Sequence, residues 1–518
     1  MHFNSLRPNN LVKEILVKTV ADKRGKLSVL ELSKECGFTV KRIYYLYNFK
    51  KTIRGSHAHK NLKQCIICLN GSAKIYFHKG DKNQKMYHLN KPNKAILIHG
   101  CIWKDIEEVK KNTILLVLAS EKYDKNDYLR SKEELENYIN YKIKRPVISH
   151  HCIERMHNQL TYEFNEKFDR VLKNNNFILG DEVKKFEKKF ANFSKAKYSI
   201  SCGNGFDALV LALRSLNVSK SDEVIIPANS FVATAMAVSI VGAIPVFVDC
   251  NYDDYSINLS DLQKKITKKT KAIIPVSLYG IPLDIEKINN LASKYKLKVI
   301  EDASQSHGVS FFSNNKFIKK KFPNWKLATF SFYPTKNLGA LGDGGAILTN
   351  DRNLYDKIKL LRNYGSLKKY DHRVIGSNSR LDEMQAAFLS IKLKYLKKWI
   401  LRKRKIAKIY INELSDIKQI GLLSKKIIEK SVFYVFPIKI FNNQRARFIK
   451  FLRKSRIETN IHYPISIQNQ YAYKSFKSKI KNCDKIAKEI VSLPIGSFHS
   501  DNEILYVCEK IKNFFKVR

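Results

Sequence analysis

The second half of the chain contains a lysine and a carboxylate in settings where they could do chemistry together. Lys336 follows the apolar run Phe-Ser-Phe-Tyr-Pro-Thr of residues 330–335, and Glu301-Asp302 closes an apolar strand upstream. A lysine amine can form a Schiff base with an aldehyde cofactor, and a carboxylate can keep a pyridine nitrogen protonated so that the ring accepts electrons. The pair therefore indicates pyridoxal phosphate chemistry, although a single lysine in an apolar stretch is more often a surface residue.

Two histidines in the first half lie in the motif Arg-Gly-Ser-His-Ala-His-Lys of residues 54–60. Alternate side chains of an extended strand share a face, so His57 and His59 are expected to point the same way. Such a pair suits metal ligation or proton transfer. A metal site would need further ligands, but neither residues 61–64 nor residues 101–104 offer a carboxylate or an imidazole. We expect a metal-free acid/base pair; two surface histidines without a role are the plainer alternative.

A glycine-containing turn in the second half could hold a phosphate. Residues 198–202 are typical of a strand, Gly203-Asn204-Gly205 follows, and a helix is expected over residues 206–216. Glycines at a helix N-terminus let backbone N–H groups approach an anion, and the helix dipole favours the negative charge. Many tight turns between a strand and a helix look similar, so this signal gains its weight from Asp302 and Lys336 downstream.

Size and composition predict folded domains with a basic surface. A chain of 518 residues, 44% of them hydrophobic, is long enough for two or three domains. The formal net charge of +48 could indicate a nucleic-acid binder or a basic scaffold. The lysines are spread along the whole chain, however, with only short basic runs such as residues 402–405. This distribution favours solvated faces that attract acidic substrates over specific nucleic-acid binding.

Several sequence features favour a cytoplasmic protein. No apolar run reaches the roughly 18 residues that a membrane-spanning helix needs, and residues 1–8 lack the apolar core of a signal peptide. The nine cysteines are scattered and odd in number, which favours reduced thiols. Cys65 and Cys68 form a Cys-x-x-Cys pair in a strand-like run, so we expect buried structural thiols and not a zinc or redox site.

The pattern of predicted secondary structure changes near residue 150. Before it, short apolar segments separated by turn signals at Asn70-Gly71 and residues 79–81 predict an all-β sandwich or barrel followed by a polar helix over residues 131–141. The expected strands are residues 42–47, 64–69, 73–77, 95–98 and 113–118.

After residue 155, helices and strands alternate. A strand over 271–276, an amphipathic helix over 284–295 and a strand over 298–301 predict a parallel sheet covered on both faces. Asp302 would then lie at the C-terminal edge of the sheet, where such folds bind ligands. The predicted segments are 1–142 as a β domain, 143–157 as a linker, 158–395 as a large α/β domain and 396–518 as a small C-terminal subdomain.

Six ordered blocks of the second half carry a resemblance to a known enzyme family. They are residues 204–209, 227–235, 301–308, 331–345, 378–383 and 462–464. With them, residues from about 160 to 515 resemble the sugar aminotransferases of the DegT/DnrJ/EryC1/StrS family. The resemblance implies an α/β fold of the aspartate-aminotransferase type (fold type I), a small C-terminal α+β subdomain and pyridoxal 5'-phosphate as cofactor.

The resemblance also implies a role for each matching residue. Lys336 would hold the cofactor as a Schiff base and then move the proton between cofactor and substrate carbons, and Asp302 would pair with the pyridinium nitrogen. The remaining implied cofactor contacts are Gln305 to the ring hydroxyl, Phe231 stacked on the ring, Ser331 and the amides of Gly205 and Phe206 at the phosphate, and Asn378 reaching the phosphate from the other subunit of an obligatory homodimer.

Some positions depart from the family pattern, and one distinguishes the transaminases of the family from its dehydratases. Phe206 replaces the threonine common there, so one hydroxyl contact to the phosphate would be missing. Residues 321–326 lack the Gly-Asp that usually precedes the lysine strand, which leaves the geometry of that loop open. Relatives with histidine in place of the lysine are dehydratases, so Lys336 favours transamination. His307 is either functional or a polar filler of the core.

A second set of motifs lies in the first half: residues 21–27, 54–60, Gln64, 70–72, 117–120, 123–124 and 127–130. They resemble the cupin-fold dTDP-sugar 3,4-ketoisomerases, which move a ketone from sugar C4 to C3 through an enediol. The resemblance implies that His57 and His59 remove and deliver the carbon-bound protons. Tyr44, Arg54 and Lys60 would place the substrate or stabilise the enediolate.

The two implied reactions are consecutive. The chain is expected to be bifunctional: it would isomerise a dTDP-linked 4-keto-6-deoxyhexose and then place an amine, taken from L-glutamate, on C3. The product would be a dTDP-3-amino-3,6-dideoxyhexose for surface polysaccharide or a glycosylated metabolite. The alternative is a C4 sugar aminotransferase with a non-catalytic accessory barrel. A homodimer or a higher homo-oligomer is expected in either case.

Overall fold

The computed structural model describes residues 11–31, 35–49, 53–79, 83–143, 147–309, 312–313, 316–317, 326–476, 478 and 480–516. The chain forms two compact units, residues 1–146 and 147–518. Parts of three expected features lie outside the described residues: the turn at 79–81, the linker around 144–146 and the loop 321–326.

The first unit is built of antiparallel strands. Eight of them form one sheet in the order β1-β8-β6-β9-β5-β10, with β4 paired to β9 and β7 paired to β6, while β2 and β3 form a separate hairpin. The elements are β1 (Val12–Leu16), β2 (Lys18–Asp22), β3 (Gly25–Val29), β4 (Arg42–Leu46), β5 (Arg54–His59), β6 (Lys63–Lys79), β7 (Asn83–Leu89), β8 (Lys94–His99), β9 (Trp103–Ala119), β10 (Tyr128–Leu129) and helix α1 (Lys132–Ile143).

The expected turn at Asn70-Gly71 is wrong. β6 runs unbroken through it for 17 residues, and its pairing with β9 shifts register on either side of Asn70 and Ser72. Gly71 has a φ of 80°, and a Cβ there would lie 2.4 Å from the hydroxyl oxygen of Thr113. The two residues therefore form a bulge inside one long strand, since an Asn-Gly pair permits positive φ in a bulge as well as in a hairpin turn.

The second unit combines a seven-stranded sheet with surrounding helices. Its strands are β11 (Tyr198–Cys202), β12 (Glu223–Pro227), β13 (Ile244–Val248), β14 (Thr270–Ile273), β15 (Lys298–Asp302), β16 (Phe312–Ser313), β17 (Lys316–Phe317), β18 (Leu327–Ser331), β19 (Gly345–Thr349), β20 (Ser366–Lys368), β21 (Asp371–His372), β22 (Ile420–Gly421), β23 (Phe436–Ile440) and β24 (Ile490–Leu493).

The helices of this unit follow the same chain order. They are α2 (Ile153–Asn174), α3 (Asp181–Ser194), α4 (Gly205–Ser215), α5 (Ala233–Ile240), α6 (Leu259–Lys264), α7 (Ile285–Lys294), α8 (Arg352–Leu361), α9 (Glu383–Leu414), α10 (Lys425–Lys430), α11 (Arg445–Lys454), α12 (Lys481–Glu489) and α13 (Asp501–Phe515). α7 begins where Asp284 caps it, because the Asp284 carboxylate accepts a hydrogen bond from the N–H of Lys287.

The large sheet has the order β11-β19-β18-β15-β14-β12-β13. Strands β13, β12, β14, β15 and β18 run parallel, whereas β19 is antiparallel to both of its neighbours. The expected parallel sheet is thus mixed at one edge. Its central strands are apolar and buried on both faces, as parallel strands covered by helices must be. Asp302 ends β15 at the carboxyl edge of the sheet.

Helix α9 is 32 residues long and crosses the predicted boundary at residue 395. The chain then forms the three-stranded sheet β22-β23-β24 with α10 to α13. Along the part of the chain that the structure describes, every helix is too short or too polar to span a bilayer. The nine cysteines are buried and form no disulfides, including Cys65 and Cys68 of β6.

Candidate active sites

Asp302 is fixed at the sheet edge by neighbours on both sides. Its side chain is buried and accepts hydrogen bonds of 2.9 Å from the Thr234 hydroxyl and 3.2 Å from the N–H of Ser304. A carboxylate offers about four lone-pair directions, so these two bonds leave capacity for a cationic partner. The strand end therefore presents an oriented carboxylate where an open α/β sheet binds ligands.

Lys336 lies in the turn that follows β18. Its Nζ is 4.2 Å from the centre of the Tyr434 ring, and the Tyr434 hydroxyl lies in a 3.0 Å hydrogen bond with that of Thr335. Burial lowers the pKa of Lys336 to about 8, although the charge of Asp302 opposes the shift. With this pKa roughly a tenth of the amine is neutral at pH 7, far more than for an exposed lysine, and a lysine that attacks a carbonyl requires the neutral form.

Gln305 and Phe231 meet at Tyr463. The Gln305 side chain accepts a 2.7 Å bond from the N–H of Tyr279 and donates one of 3.0 Å to the hydroxyl of Tyr463. The ring of Phe231, which is 54% exposed, lies 5.6 Å from that of Tyr463. Phe231 is therefore a solvent-facing aromatic surface beside the Asp302 edge and not ordinary core.

The predicted phosphate cradle is a site of close backbone approach. A Cβ on Gly205 would lie 2.5 Å from the Ser331 Cβ, and one on Gly345 would lie 2.3 Å from the Asn204 carbonyl oxygen. Asn204 caps α4 by accepting the N–H of Asp207 at 2.8 Å. The amides of Gly205 and Phe206, the first two of the helix, have no intrahelical acceptor and are free to bind an anion.

Asn378 and His307 occupy contrasting positions. Asn378 is exposed in the isolated chain and forms a bridge with Asn363. His307 is fully buried between the rings of Phe330 and Phe332. Burial, together with the Lys336 charge, lowers the pKa of His307 to about 3, so this imidazole is neutral at physiological pH.

The residues of this site fit pyridoxal phosphate. A lysine amine with a lowered pKa, a buried carboxylate, an exposed aromatic face and a glycine-lined helix N-terminus are the four kinds of group that the cofactor needs. The sequence motifs predicted all four. They did not predict the buried lysines Lys392 and Lys403 of α9, whose Nζ atoms bond to the turn after Lys336.

In the first unit, His57 and His59 face each other. Their Nε2 atoms are 3.1 Å apart, and the Nδ1 of His59 lies 3.2 Å from a carboxylate oxygen of Asp127. Asp127 is itself fixed, because it also accepts the N–H groups of Asn61 and Leu62 at 2.9 and 3.3 Å. Asp127 lies in one of the matching motifs, but no local pattern pairs it with His59.

An open pocket extends from His57. Its polar lining includes two expected residues, Tyr44 and Arg54. Burial raises the pKa of Tyr44 to about 12, and the Tyr44 hydroxyl accepts a 2.5 Å hydrogen bond from Gln64. The further polar lining side chains, which sequence reasoning did not identify as site residues, are Arg42, Lys104, Tyr123 and Tyr128.

Lys60 does not line this pocket. Its ammonium donates a 2.7 Å hydrogen bond to the carbonyl oxygen of Asn126 and lies 6.0 Å from the centre of the Tyr138 ring. The bond to Asn126 supports the turn that carries Asp127, and the predicted direct contact of Lys60 with substrate in this pocket has no support in this geometry.

One cluster of metal-ligand atoms occurs among the described residues, and it lies in neither site. It consists of Asp249, Cys250 and Cys483. The Asp249 carboxylate accepts the N–H groups of Asn482 and Cys483 at 3.0 and 2.9 Å, which caps α12.

Comparison with known proteins identifies both units. The fold and the lysine site define a pyridoxal-phosphate-dependent aminotransferase. Residues 158–512 match the DegT/DnrJ/EryC1/StrS aminotransferase family, and the chain belongs to this family. Residues 11–140 match the FdtA family, described as WxcM-like, C-terminal. Both resemblances expected from the sequence are confirmed.

Curated relatives cover the second unit. The dTDP-3-amino-3,6-dideoxy-alpha-D-galactopyranose transaminase of Aneurinibacillus thermoaerophilus is 43% identical over 68% of this chain and 95% of its own length. The dTDP-3-amino-3,4,6-trideoxy-alpha-D-glucose transaminase of Streptomyces venezuelae is 34% identical over 70% of this chain and 94% of its own. Among solved structures, S. venezuelae DesV is 33% identical with a TM-score of 0.68, covering 72% of this chain and 99% of that one.

Proposed function

We propose that the chain is a bifunctional nucleotide-sugar enzyme. Its first unit would convert a dTDP-4-keto-6-deoxyhexose into the 3-keto isomer, and its second unit would replace the C3 ketone with an amine. The observation that carries this proposal is the His57–His59 pair, which is anchored by Asp127 and opens onto a polar pocket, in the same chain as the Lys336 site.

The isomerisation needs only proton transfers. A base removes the proton from C3, the C–H electron pair becomes the double bond of an enediol, and the C4 oxygen takes up a proton. The C3 hydroxyl then loses its proton to become the ketone, and C4 receives a proton. One carbon is oxidised as its neighbour is reduced, so no external oxidant is consumed. Burial and the Lys104 charge lower the pKa of His57 to about 4, which keeps its imidazole available as a base.

The polar pocket suits the charged intermediate of that reaction. Arg42 lies 5.1 Å from the centre of the Tyr44 ring and 5.6 Å from that of Tyr123. A guanidinium is a permanently positive group, so it can stabilise an enediolate oxygen or a diphosphate. The contacts with the two rings hold this group at the pocket.

In the second unit, bound pyridoxal phosphate would supply the electron sink for the transamination. The chain supplies the rest. Lys336 would attach the cofactor and then carry the proton between carbon atoms, since its lowered pKa lets the freed amine act as a base. Asp302 would hold the pyridine nitrogen protonated, and the Gly205–Ser331 cradle would hold the phosphate.

The nucleotide and the position of the amine are inferred from relatives and from chemical order. The 43% identical relative is named for a dTDP-3-amino-3,6-dideoxy sugar. A 3-keto sugar enolises readily, so an isomerase and a C3 transaminase in one chain would limit its loss. L-glutamate is the proposed amino donor. The proposed assembly is a homodimer or larger, with Asn378 at the partner's phosphate site.

The test is the structure of the product. Wild type, His57→Ala and Lys336→Ala are each incubated with dTDP-4-keto-6-deoxyglucose, L-glutamate and pyridoxal phosphate, and the sugar is analysed by NMR. We expect an amine on C3 with wild type, a 3-keto sugar without amine with Lys336→Ala, and neither with His57→Ala. His88→Ala, which changes a histidine of β7 bonded to Ser72, is the matched control. An amine on C4 that survives His57→Ala would instead establish a C4 aminotransferase with an accessory barrel.

A further inference from the structure

The histidine pair of the first unit has a place for one additional proton. A carbonyl and a carboxylate can only accept hydrogen bonds, so the Nδ1 of His57, which faces the Gly55 carbonyl, and the Nδ1 of His59, which faces Asp127, both carry hydrogen. In two neutral imidazoles the Nε2 atoms would then both be bare. These atoms lie 3.1 Å apart, so one additional proton on either ring would complete a hydrogen bond between them.

Lys104 is placed to supply that proton. It lies on β9 directly across from His57 of β5, and its Nζ is 3.4 Å from the His57 Nε2. Cross-strand partners share a face of the sheet, so both side chains point toward the same pocket. Lys104 is only 3% exposed, yet it lines the pocket that opens beside Tyr44 and Tyr128.

We propose that Lys104 is a catalytic residue of the ketoisomerase reaction: it holds the mobile proton of the site and passes it through the His57 Nε2 to the sugar. The inference rests on the proposed function of the first unit. In the resting enzyme the proton is on Lys104. His57 transfers it to the sugar, and Asp127 orients His59.

The surroundings of Lys104 make its proton labile. Burial lowers its pKa to about 7, while Asp127 and Asp105 act in the opposite direction. Burial also lowers the pKa of His57 to about 4 and moves that of His59 down. At neutral pH the lysine is therefore the preferred holder of a single shared proton. The charged and titratable groups around this set are Arg42, Tyr44, Arg54, Asp105, Tyr123, Asp127, Tyr128 and Arg130.

The proton balance of the proposed step closes. In the first half, the ammonium of Lys104 passes a proton through His57 to the C4 oxygen, and the proton removed from C3 returns through His57 to the neutral amine. In the second half, Lys104 passes a proton by the same route to C4, and the proton lost by the C3 hydroxyl returns to Lys104. The enzyme thus ends each cycle in its starting protonation state, and no water needs to enter.

A pH profile separates this role from simple packing. Isomerisation should require neutral His57 and protonated Lys104, so its rate should fall below about pH 4 and above about pH 7. Lys104→Met should lower kcat by about 10²- to 10⁴-fold and abolish the alkaline limb. Lys104→Arg should not rescue the rate, because a guanidinium keeps its proton. Lys74→Met, on the same sheet but outside the pocket, is the control.

One further measurement and two possible outcomes separate the role of Lys104 from the proposed function. NMR titration of the His57 ring should show its pKa rise in Lys104→Met and stay low in Lys104→Arg, since the positive neighbour lowers it. If Lys104→Met isomerises within twofold of wild type with the same profile, the role of Lys104 is refuted while the ketoisomerase stands. If folded wild-type protein forms no 3-keto sugar, the proposed function fails first and the inference fails with it.

Discussion

The Nζ of Lys403 donates a 2.7 Å hydrogen bond to the side-chain oxygen of Asn337, the residue next to Lys336. It donates a second bond of 3.0 Å to the carbonyl of Phe433. Asn337 in turn donates to the carbonyl of Val432 at 2.9 Å. A buried cation on α9 thereby ties the lysine turn to the segment before β23.

A second buried lysine of α9 acts on the same turn. Lys392 donates 2.7 Å to the carbonyl of Gly339 and lies 3.1 Å from the Nε2 of His157. Residues 392 and 403 are separated by about three helical turns and so share one face of α9. Burial lowers the pKa of each to about 7. Both lysines bond to neutral acceptors, so each charge is held at a cost.

That cost predicts a pH-dependent stability. Lys403 has a pKa of about 7 when folded and 10.5 when exposed. The unfolded chain therefore binds more protons between these values, and the free energy of unfolding rises with pH across the window. We expect the second unit to gain about 2 kcal/mol from this group between pH 7 and 9. Thermal unfolding of wild type and Lys403→Met at both pH values measures the difference.

Lys405→Met provides the control for that experiment, because Lys405 is exposed on the same helix and pairs with Asp501. It should keep the wild-type pH dependence. An identical slope for Lys403→Met and wild type would contradict the buried charge. With pyridoxal phosphate bound, Lys403→Met should also shift the pH at which the cofactor absorbance changes, because it removes the bond to Asn337 beside Lys336.

Asp302→Asn should separate cofactor binding from cofactor activation. The amide is close in size to the carboxylate and can still accept a hydrogen bond from Thr234, but it cannot stabilise a protonated pyridine nitrogen. We expect the variant to bind pyridoxal phosphate and to lose at least about 100-fold in the rate of reaction with the amino donor. Stopped-flow absorbance measures that rate. Thr234→Val tests whether the orientation of Asp302 also matters, and a full rate in Asp302→Asn would exclude the pyridinium role.

Local patterns were sufficient to predict much of the second unit. β11 has the predicted bounds, and α7 (Ile285–Lys294) lies within one residue of the predicted 284–295 at each end, because apolar periodicity acts through neighbours in sequence. Residue chemistry pointed to the Lys336 and Asp302 pair, and the family resemblance implied the role of each residue. The bulge at Gly71 was misread because an Asn-Gly pair permits several positive-φ conformations, and only the pairing of β6 with β9 selects one.

Lys104, Lys392 and Lys403 could not be predicted in the same way. A lysine in sequence is ordinarily a solvated residue, and in a chain with a formal net charge of +48 these buried lysines cannot be told from the many exposed ones. The burial of Lys104 depends on β9 pairing with β5, which is a contact between distant parts of the chain. The pairing of His59 with Asp127 likewise depends on β10 lying beside β5.

Asn378 should act in the partner's site. It is exposed in the isolated chain, as a residue that crosses a subunit interface would be. Lys336→Ala and Asn378→Asp should each be nearly inactive alone, since the added carboxylate would repel the phosphate. Mixed by denaturation and refolding, they should recover roughly a quarter of wild-type transaminase activity, because half of a random mixture has one intact site. No recovery, despite hybrid dimers seen by mass spectrometry, would place Asn378 in its own subunit's site.

Gly71→Ala should destabilise the first unit more than its backbone angle alone explains. Both Gly71 and Gly37 have left-handed φ values, 80° and 66°, but a Cβ on Gly37 meets nothing within 4 Å whereas one on Gly71 meets Thr113 at 2.4 Å. Gly37→Ala should therefore cost about 1–2 kcal/mol from the backbone alone. Gly71→Ala should cost about 1–3 kcal/mol more, because the hydroxyl of Thr113 that bonds across the bulge must move. Thermal unfolding of the two variants compares their losses of stability directly. Equal losses would mean that the bulge adapts to the added Cβ. In that case, adding Thr113→Ser to Gly71→Ala should restore no stability.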